Sequence, residues 1–82
     1  MTSHLLAETR EAVAAEIRAA MARKRLTRGE LAQRLGVART TLADRLDANR
    51  PFDTDMLAAI CGELEIDLLS LFPVSASAVE SA

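Results

Sequence analysis

Aromatic residues are almost absent from this chain of 82 residues, which contains two Phe and neither Trp nor Tyr. Apolar residues still make up 50% of the sequence, mainly as Ala, Leu, Val, Ile and Met. This mixture favours helices over strands. Because a chain of this length has room for one small core, the sequence predicts a single all-α domain. A deep active-site pocket is not expected at this size, so we expect no enzyme.

Cysteine is limited to Cys61, which excludes an internal disulfide bond and favours a reducing compartment. No apolar run approaches the roughly 18 residues that a membrane-spanning helix needs, and no signal-peptide pattern is found. We therefore expect a soluble, cytoplasmic protein that does not contact a membrane. Cys61 lies on an apolar helix face, where packing is expected rather than thiol reactivity.

Residue patterns for catalysis or for metal and cofactor binding are also missing. His4 has no second ligand at helical spacing, and Thr40 and Thr41 have no adjacent base. The sequence contains neither a phosphate-binding glycine loop nor a pair of carboxylates typical of an active site. We therefore expect no metal, no cofactor and no small-molecule ligand.

Charges of opposite sign occupy different parts of the chain. Residues 18–50 contain nine basic and three acidic side chains, a net charge of +6, whereas the rest contains Arg10 and nine acidic side chains. The net charge of the whole chain is −2. This separation fits a basic face that attracts a polyanion, and it fits ordinary solvated helix faces equally well.

Apolar spacing and turn residues predict five helices within residues 8–73, between an N-terminal arm or helix extension at 1–7 and a flexible tail at 74–82. The first helix is predicted at about residues 8–24. The second begins after Thr27, which forms a capping box with Glu30. It ends at Gly36, because glycine tolerates the left-handed conformation that closes a helix.

Three further helices are predicted after this glycine. The third runs from about residue 39 to residue 47, with Leu42 and Leu46 facing inward and Ala38 as a poor N-cap. The fourth follows the cap Asp53, and its apolar face contains Met56, Leu57, Ile60, Cys61 and Leu64. The fifth is short, opens at Asp67 and is stopped by Pro73. Its predicted buried residues are Ile66, Leu69 and Phe72.

Two short helices that meet at a glycine corner are typical of a helix-turn-helix, whose second helix enters the major groove of DNA. The third predicted helix offers Arg39, Thr40, Ala43 and Asp44 near its beginning. Arginine can read guanine, aspartate can accept from cytosine, and Thr or Ala methyl groups can contact thymine. The structural alternative is an ordinary solvated helix of a small bundle.

The stretches "LTRGELAQRLGVARTTLADRL" and "NRPFDTDMLAAICGELEIDLLSLF" resemble the Cro and phage-repressor helix-turn-helix family, also called the xenobiotic response element family. The resemblance covers Leu26 to Phe72. The family's structural positions are occupied by Leu31, Ala32, Leu35, Gly36, Val37 and Leu42. This resemblance implies a compact, five-helix, lambda-repressor-like domain whose third helix reads the bases of double-stranded operator DNA.

Carried over by position, the resemblance assigns roles to individual residues. The implied base-reading residues are Arg39, Thr40, Ala43 and Asp44. The implied phosphate, groove-edge or backbone contacts are Arg28, Gln33, Thr41, Asn49 and Arg50, and Arg25 and Arg45 are further candidate phosphate contacts. Three positions depart from the family pattern. Arg45 replaces an apolar residue, so Leu46 has to anchor the helix; Glu65 replaces a glycine; and Ala38 replaces a Ser or Thr cap.

These features predict a sequence-specific transcription regulator that binds double-stranded DNA, most simply a Cro-type repressor that acts by occupying its operator. The alternative is an antitoxin-like or other protein-interaction module. Its candidate contacts are Leu5, Leu6, Val74 and Val79. The sequence leaves open whether the protein is a monomer or a homodimer.

Overall fold

The computed structural model describes the backbone of residues 2–72 and the side chains of residues 8–72. In this part of the chain four α-helices follow one another without a strand. They are α1 (Thr2–Arg23), α2 (Arg28–Leu35), α3 (Arg39–Leu46) and α4 (Thr54–Leu64). A 3-10 turn of four residues, Leu68–Leu71, comes after α4. The all-α class is thus confirmed for the described residues, whereas the predicted fifth helix is this 3-10 turn.

Helix α1 begins at Thr2, six positions earlier than the apolar spacing indicated. The side chains of His4, Leu5 and Leu6 lie outside the described set. The predicted flexible tail, with Val74 and Val79, also lies outside the described residues. The sequence predictions for these residues therefore stay predictions.

A side-chain capping box begins α2, and the backbone conformation of a glycine ends it, both as predicted. The Thr27 hydroxyl accepts a hydrogen bond from the Glu30 backbone N–H at 3.1 Å. In return, the Thr27 backbone N–H donates to Glu30 Oε1 at 2.8 Å, which completes the capping box. These hydrogen bonds lower the pKa of Glu30. At the other end, Gly36 adopts φ 73° and closes the helix in the left-handed conformation.

The other three helices close without glycine. Left-handed backbone conformations occur at Arg25 (φ 55°), Ala48 (φ 63°) and Glu65 (φ 57°), each just after a helix. A residue with a Cβ is strained there by roughly 1–2 kcal/mol. At the end of α4, Glu65 receives a hydrogen bond from Lys24 Nζ, which lowers the pKa of its carboxyl group. A charged residue thus ends α4 in the left-handed conformation.

One apolar core joins all four helices and the 3-10 turn. Its largest fully buried side chains are Ile17, Leu31, Leu42, Leu46, Ile60, Leu64 and Leu71. Leu42 and Leu46 fix the inner face of α3, as predicted. Cys61 is buried as predicted, and burial together with the negative charge of Asp67 raises the pKa of its thiol. In the described part of the chain, no helix has the length and apolar character needed to cross a membrane.

The 3-10 turn buries a different leucine from the one expected. Leu69 was predicted to be buried, but it is 65% exposed, and Leu71 is 1% exposed instead. Ile66 and Phe72 are only half-buried. A 3-10 helix has three residues per turn, so its inward positions differ from those of a longer α-helix. A segment of four residues is also too short for its apolar spacing to reveal which kind of helix forms.

Candidate nucleic-acid interface

Helix α3 lies at the surface with one side on the core. Leu42 and Leu46 are completely buried, whereas Arg39 and Thr40 at its beginning are exposed. Ala43 and Asp44 are half-buried. No side chain caps the beginning of α3, because Ala38 occupies the cap position, as predicted. The exposed part of α3 is therefore its first turn and the side away from the two leucines.

Five of the predicted site residues surround one open hollow of about 340 Å³ on α3 and the following loop. They are Thr40, Thr41, Asp44, Arg45 and Arg50. The hollow thus combines two hydroxyl groups, two guanidinium groups and one carboxylate. Hydroxyl and guanidinium groups donate hydrogen bonds to anionic oxygen atoms, which is the donor set that a phosphate diester needs.

The ion pair inside this hollow is loose. Arg50 Nε lies 3.7 Å from Asp44 Oδ2, and the two side chains are 69% and 49% exposed. Exposed pairs of this kind contribute little to stability because water and salt screen them. A ligand can therefore separate Arg50 from Asp44 at small cost.

Arg45 lies along its own helix, and Leu46 takes over the anchoring role. The Arg45 Nη1 atom donates to the Thr41 carbonyl oxygen at 3.1 Å. Its Nε atom is buried and has no hydrogen-bond partner within the described residues. Because Leu46 is completely buried, Arg45 does not displace α3 from the core.

Arg39 and Ala43 lie outside the lining of the hollow. The Cδ atom of Arg39 lies 4.0 Å from the position that a Cβ on Gly29 would occupy, so the Arg39 side chain passes close to the first turn of α2. Of the four predicted base-reading residues, Thr40 and Asp44 thus line the hollow, whereas Arg39 lies next to α2 and Ala43 lies outside the lining.

An ion pair joins the beginning of α2 to the end of α3. Arg28 Nη2 donates to Asp47 Oδ1 at 2.8 Å. This hydrogen bond raises the pKa of Arg28 and lowers the pKa of Asp47. Arg18 of α1 donates to the Leu46 carbonyl oxygen, and its charge lowers the pKa of Asp47 further. Neither Arg18 nor Asp47 was among the predicted site residues.

No local sequence signal identifies the pair of Arg28 and Asp47. The two residues are 19 positions apart and meet only because α2 packs across α3. The remaining predicted phosphate contacts, Arg25, Gln33 and Asn49, are exposed and do not line the hollow. Arg34, which was not predicted, lies 3.8 Å from Glu63 of α4.

A second concavity is apolar and shares no lining residue with the hollow. It has a volume of about 270 Å³, and its apolar lining includes Val13, Phe52, Leu57 and Phe72. Among the described residues, no group of three or more His, Cys, Asp or Glu side chains could hold a metal ion.

Comparison of the chain with protein-family models, with curated protein sequences and with solved structures returned no match.

Proposed function

We propose that the protein is a sequence-specific transcription regulator that binds double-stranded DNA through α2, the turn at Gly36 and α3, used as a helix-turn-helix. The proposed form is a Cro-type repressor that acts by occupying its operator. One observation carries this proposal. Helix α3 buries Leu42 and Leu46 against the core while its first turn stays exposed, and Arg45 and Arg50 line the hollow beside it.

The dimensions of α3 suit a major groove. An α-helix with its side chains is about 10–12 Å across, and the groove is about 12 Å wide, so it admits one helix; the eight residues of α3 are about 12 Å long, which is enough for two turns in the groove. In the proposed complex Arg39 donates to guanine and Asp44 accepts from the amino group of cytosine. Thr40 and Ala43 offer methyl groups to thymine.

The flanking groups suit the phosphate backbone. Arg45, Arg50 and Thr41 line the hollow beside α3, and Arg28 lies at the first position of α2. In the proposed complex these groups, with Arg25, Gln33 and Asn49 on the same basic segment, contact phosphates. Such contacts supply affinity and fix the register of the protein, whereas base contacts supply sequence preference.

Two arginine variants test this division of roles, with Arg34→Ala as the matched control outside the proposed interface. A preferred duplex is first selected from a random pool, and affinities are then measured for this duplex and for random DNA. Arg39→Ala is expected to relax preference at one base pair and to lose about 1–3 kcal/mol of discrimination. Arg28→Ala is expected to weaken binding to both duplexes alike, and Arg34→Ala to change little. Equal losses on both duplexes for Arg39→Ala and Arg28→Ala would reject the proposal.

The selected sequences also report the number of protein copies on the DNA. A homodimer reads two half-sites about 34 Å apart and yields a palindromic consensus. A monomer yields an asymmetric one.

Exposed leucines favour a second candidate function, an antitoxin-like or other protein-interaction module. Leu68 and Leu69 are 41% and 65% exposed. Large exposed apolar side chains are common at surfaces that bind another protein. Measuring duplex affinity at several salt concentrations separates the two functions. If binding is absent at low salt, or does not weaken as salt rises, the interaction module becomes the leading candidate.

A further inference from the structure

Asp47 carries a negative charge at a place where its own helix disfavours one. It is the C-cap residue of α3, and the last turn of a helix carries a partial negative charge. The capping hydrogen bonds at this end come from backbone N–H groups, since that of Asp47 donates to the Ala43 carbonyl oxygen at 2.9 Å and that of Ala48 donates to the Arg45 carbonyl oxygen at 3.1 Å. The carboxylate itself therefore contributes nothing to the closure of α3.

Arginines of two other helices approach this carboxylate. Arg28 of α2 donates to it at 2.8 Å, and Arg18 of α1 is close enough for its charge to lower the Asp47 pKa. An aspartate with its ordinary pKa is already ionised at neutral pH, and the two arginines stabilise its charged form. The Arg28 and Asp47 side chains are still 35% and 50% exposed, so a solvent-borne anion can reach the pair.

Carboxylates and phosphates are the two anions that a guanidinium group binds through the same forked donor geometry. We infer that in the free protein the Asp47 carboxylate binds the Arg28 guanidinium in the place of a DNA phosphate. When DNA binds, a backbone phosphate replaces this carboxylate on Arg28. This inference rests on the proposed function, because it concerns the phosphate that the beginning of α2 meets.

The exchange lowers affinity for every duplex equally, because phosphate contacts carry no base information. Asp47 thus weakens binding to random DNA without changing which bases are preferred. The pair of Arg50 and Asp44 is not expected to act in this way. Asp44 is itself a proposed base contact, and it lies farther from its arginine, at 3.7 Å.

Asp47→Asn tests the inference, because it removes the charge and preserves the shape of the side chain. Glu63→Gln is the matched control, since Glu63 also faces an arginine, Arg34, and its loss changes the net charge by the same amount. Dissociation constants are measured by fluorescence anisotropy at one fixed low salt concentration, with a selected duplex and with a random-sequence duplex. We expect Asp47→Asn to bind both duplexes about two- to fivefold more tightly than Glu63→Gln does.

The same substitution in an Arg28→Gln background shows whether the effect acts through Arg28. In that background, Asp47→Asn is expected to increase the affinity for DNA no more than Glu63→Gln does. Circular dichroism checks that each variant is folded, and Asp47→Ser replaces Asp47→Asn if the latter unfolds.

Three results would overturn the inference. Asp47→Asn could bind no more tightly than Glu63→Gln, its gain could persist without Arg28, or its gain could be confined to the selected duplex. In each case the wild-type protein still binds DNA and the proposed function stands. If the wild-type protein binds no duplex at low salt, the proposed function fails together with this inference.

Discussion

The sharp turn between α2 and α3 allows the stability change of a Gly36→Ala variant to be predicted. Its φ of 73° lies in the left-handed region, and a Cβ added there would meet no atom within 4 Å. The effect of Gly36→Ala is therefore confined to the backbone. Left-handed strain of roughly 1–2 kcal/mol is partly offset by the smaller conformational entropy of the unfolded alanine chain, roughly 0.4–1 kcal/mol. We expect a net loss of about 1 kcal/mol in the free energy of unfolding.

Gly62→Ala is the matched control, because it makes the same chemical change inside α4. Gly62 is exposed, its φ is not positive, and an added Cβ would again meet no atom within 4 Å. Alanine in a helix is favoured over glycine by roughly 0.5–1 kcal/mol, so this variant is expected to be more stable.

Thermal unfolding followed by far-UV circular dichroism measures both effects. For a domain of this size about 1 kcal/mol corresponds to a Tm shift of roughly 4–8 °C. We expect a lower Tm for Gly36→Ala and a higher Tm for Gly62→Ala. A higher Tm for Gly36→Ala, or equal losses in the two variants, would refute the left-handed turn between α2 and α3.

Three further predictions concern the core, the surface carboxylates and the thiol. Leu42→Ala removes a completely buried side chain and is expected to lower the free energy of unfolding by about 2–5 kcal/mol in urea titrations; a loss below 1 kcal/mol would contradict the placement of α3 on the core. The lowered pKa values of Glu30, Asp47 and Glu65 contribute stability that is complete above the unfolded-state pKa values. The Tm should therefore fall as the pH decreases below about 4.5, through the lower folded-state pKa values, and a Tm that is constant over this range would disagree. Cys61 is buried and its thiol pKa is raised, so a thiol reagent should label it only on unfolding, and rapid labelling of the native protein would show that α4 is packed differently.

The parts of the fold that sequence reasoning predicted correctly depend on neighbouring residues. Thr27 and Glu30 are three positions apart, so their capping box is visible in the sequence. Gly36 and Asp53 likewise mark the end of α2 and the beginning of α4 through local backbone and capping chemistry. Leu42 and Leu46, four positions apart, identified the buried side of α3.

The parts that sequence reasoning missed depend on tertiary contacts or on very short segments. Leu71 is buried in place of the predicted Leu69 because these residues form a 3-10 turn. A turn of four residues is too short to show a periodicity in the sequence. The sequence left open whether residues 1–7 form an arm or extend the first helix, because the first turn of α1 contains no Asp or Glu that would mark its beginning at Thr2. Arg28 and Asp47 meet only across the packed helices α2 and α3.

In the candidate site, too, sequence reasoning predicted what depends on neighbouring residues and missed what depends on tertiary contacts. Sequence spacing placed Thr40 and Asp44 near each other on α3, and the structure joins both to Arg50 around the hollow. The direction of the Arg39 side chain toward Gly29 depends on the angle between two helices, which spacing along one helix does not contain.

The most direct test of DNA binding through α3 is the salt dependence of affinity for a duplex selected from a random pool. With Arg25, Arg28, Arg45 and Arg50 on phosphates, each protein copy is expected to give a slope of about −4 for the logarithm of the association constant against the logarithm of salt concentration. Affinity should then fall by about two orders of magnitude between about 50 and 200 mM salt. A selection that yields no consensus sequence, or an affinity that does not change with salt, would contradict sequence-specific DNA binding through α3.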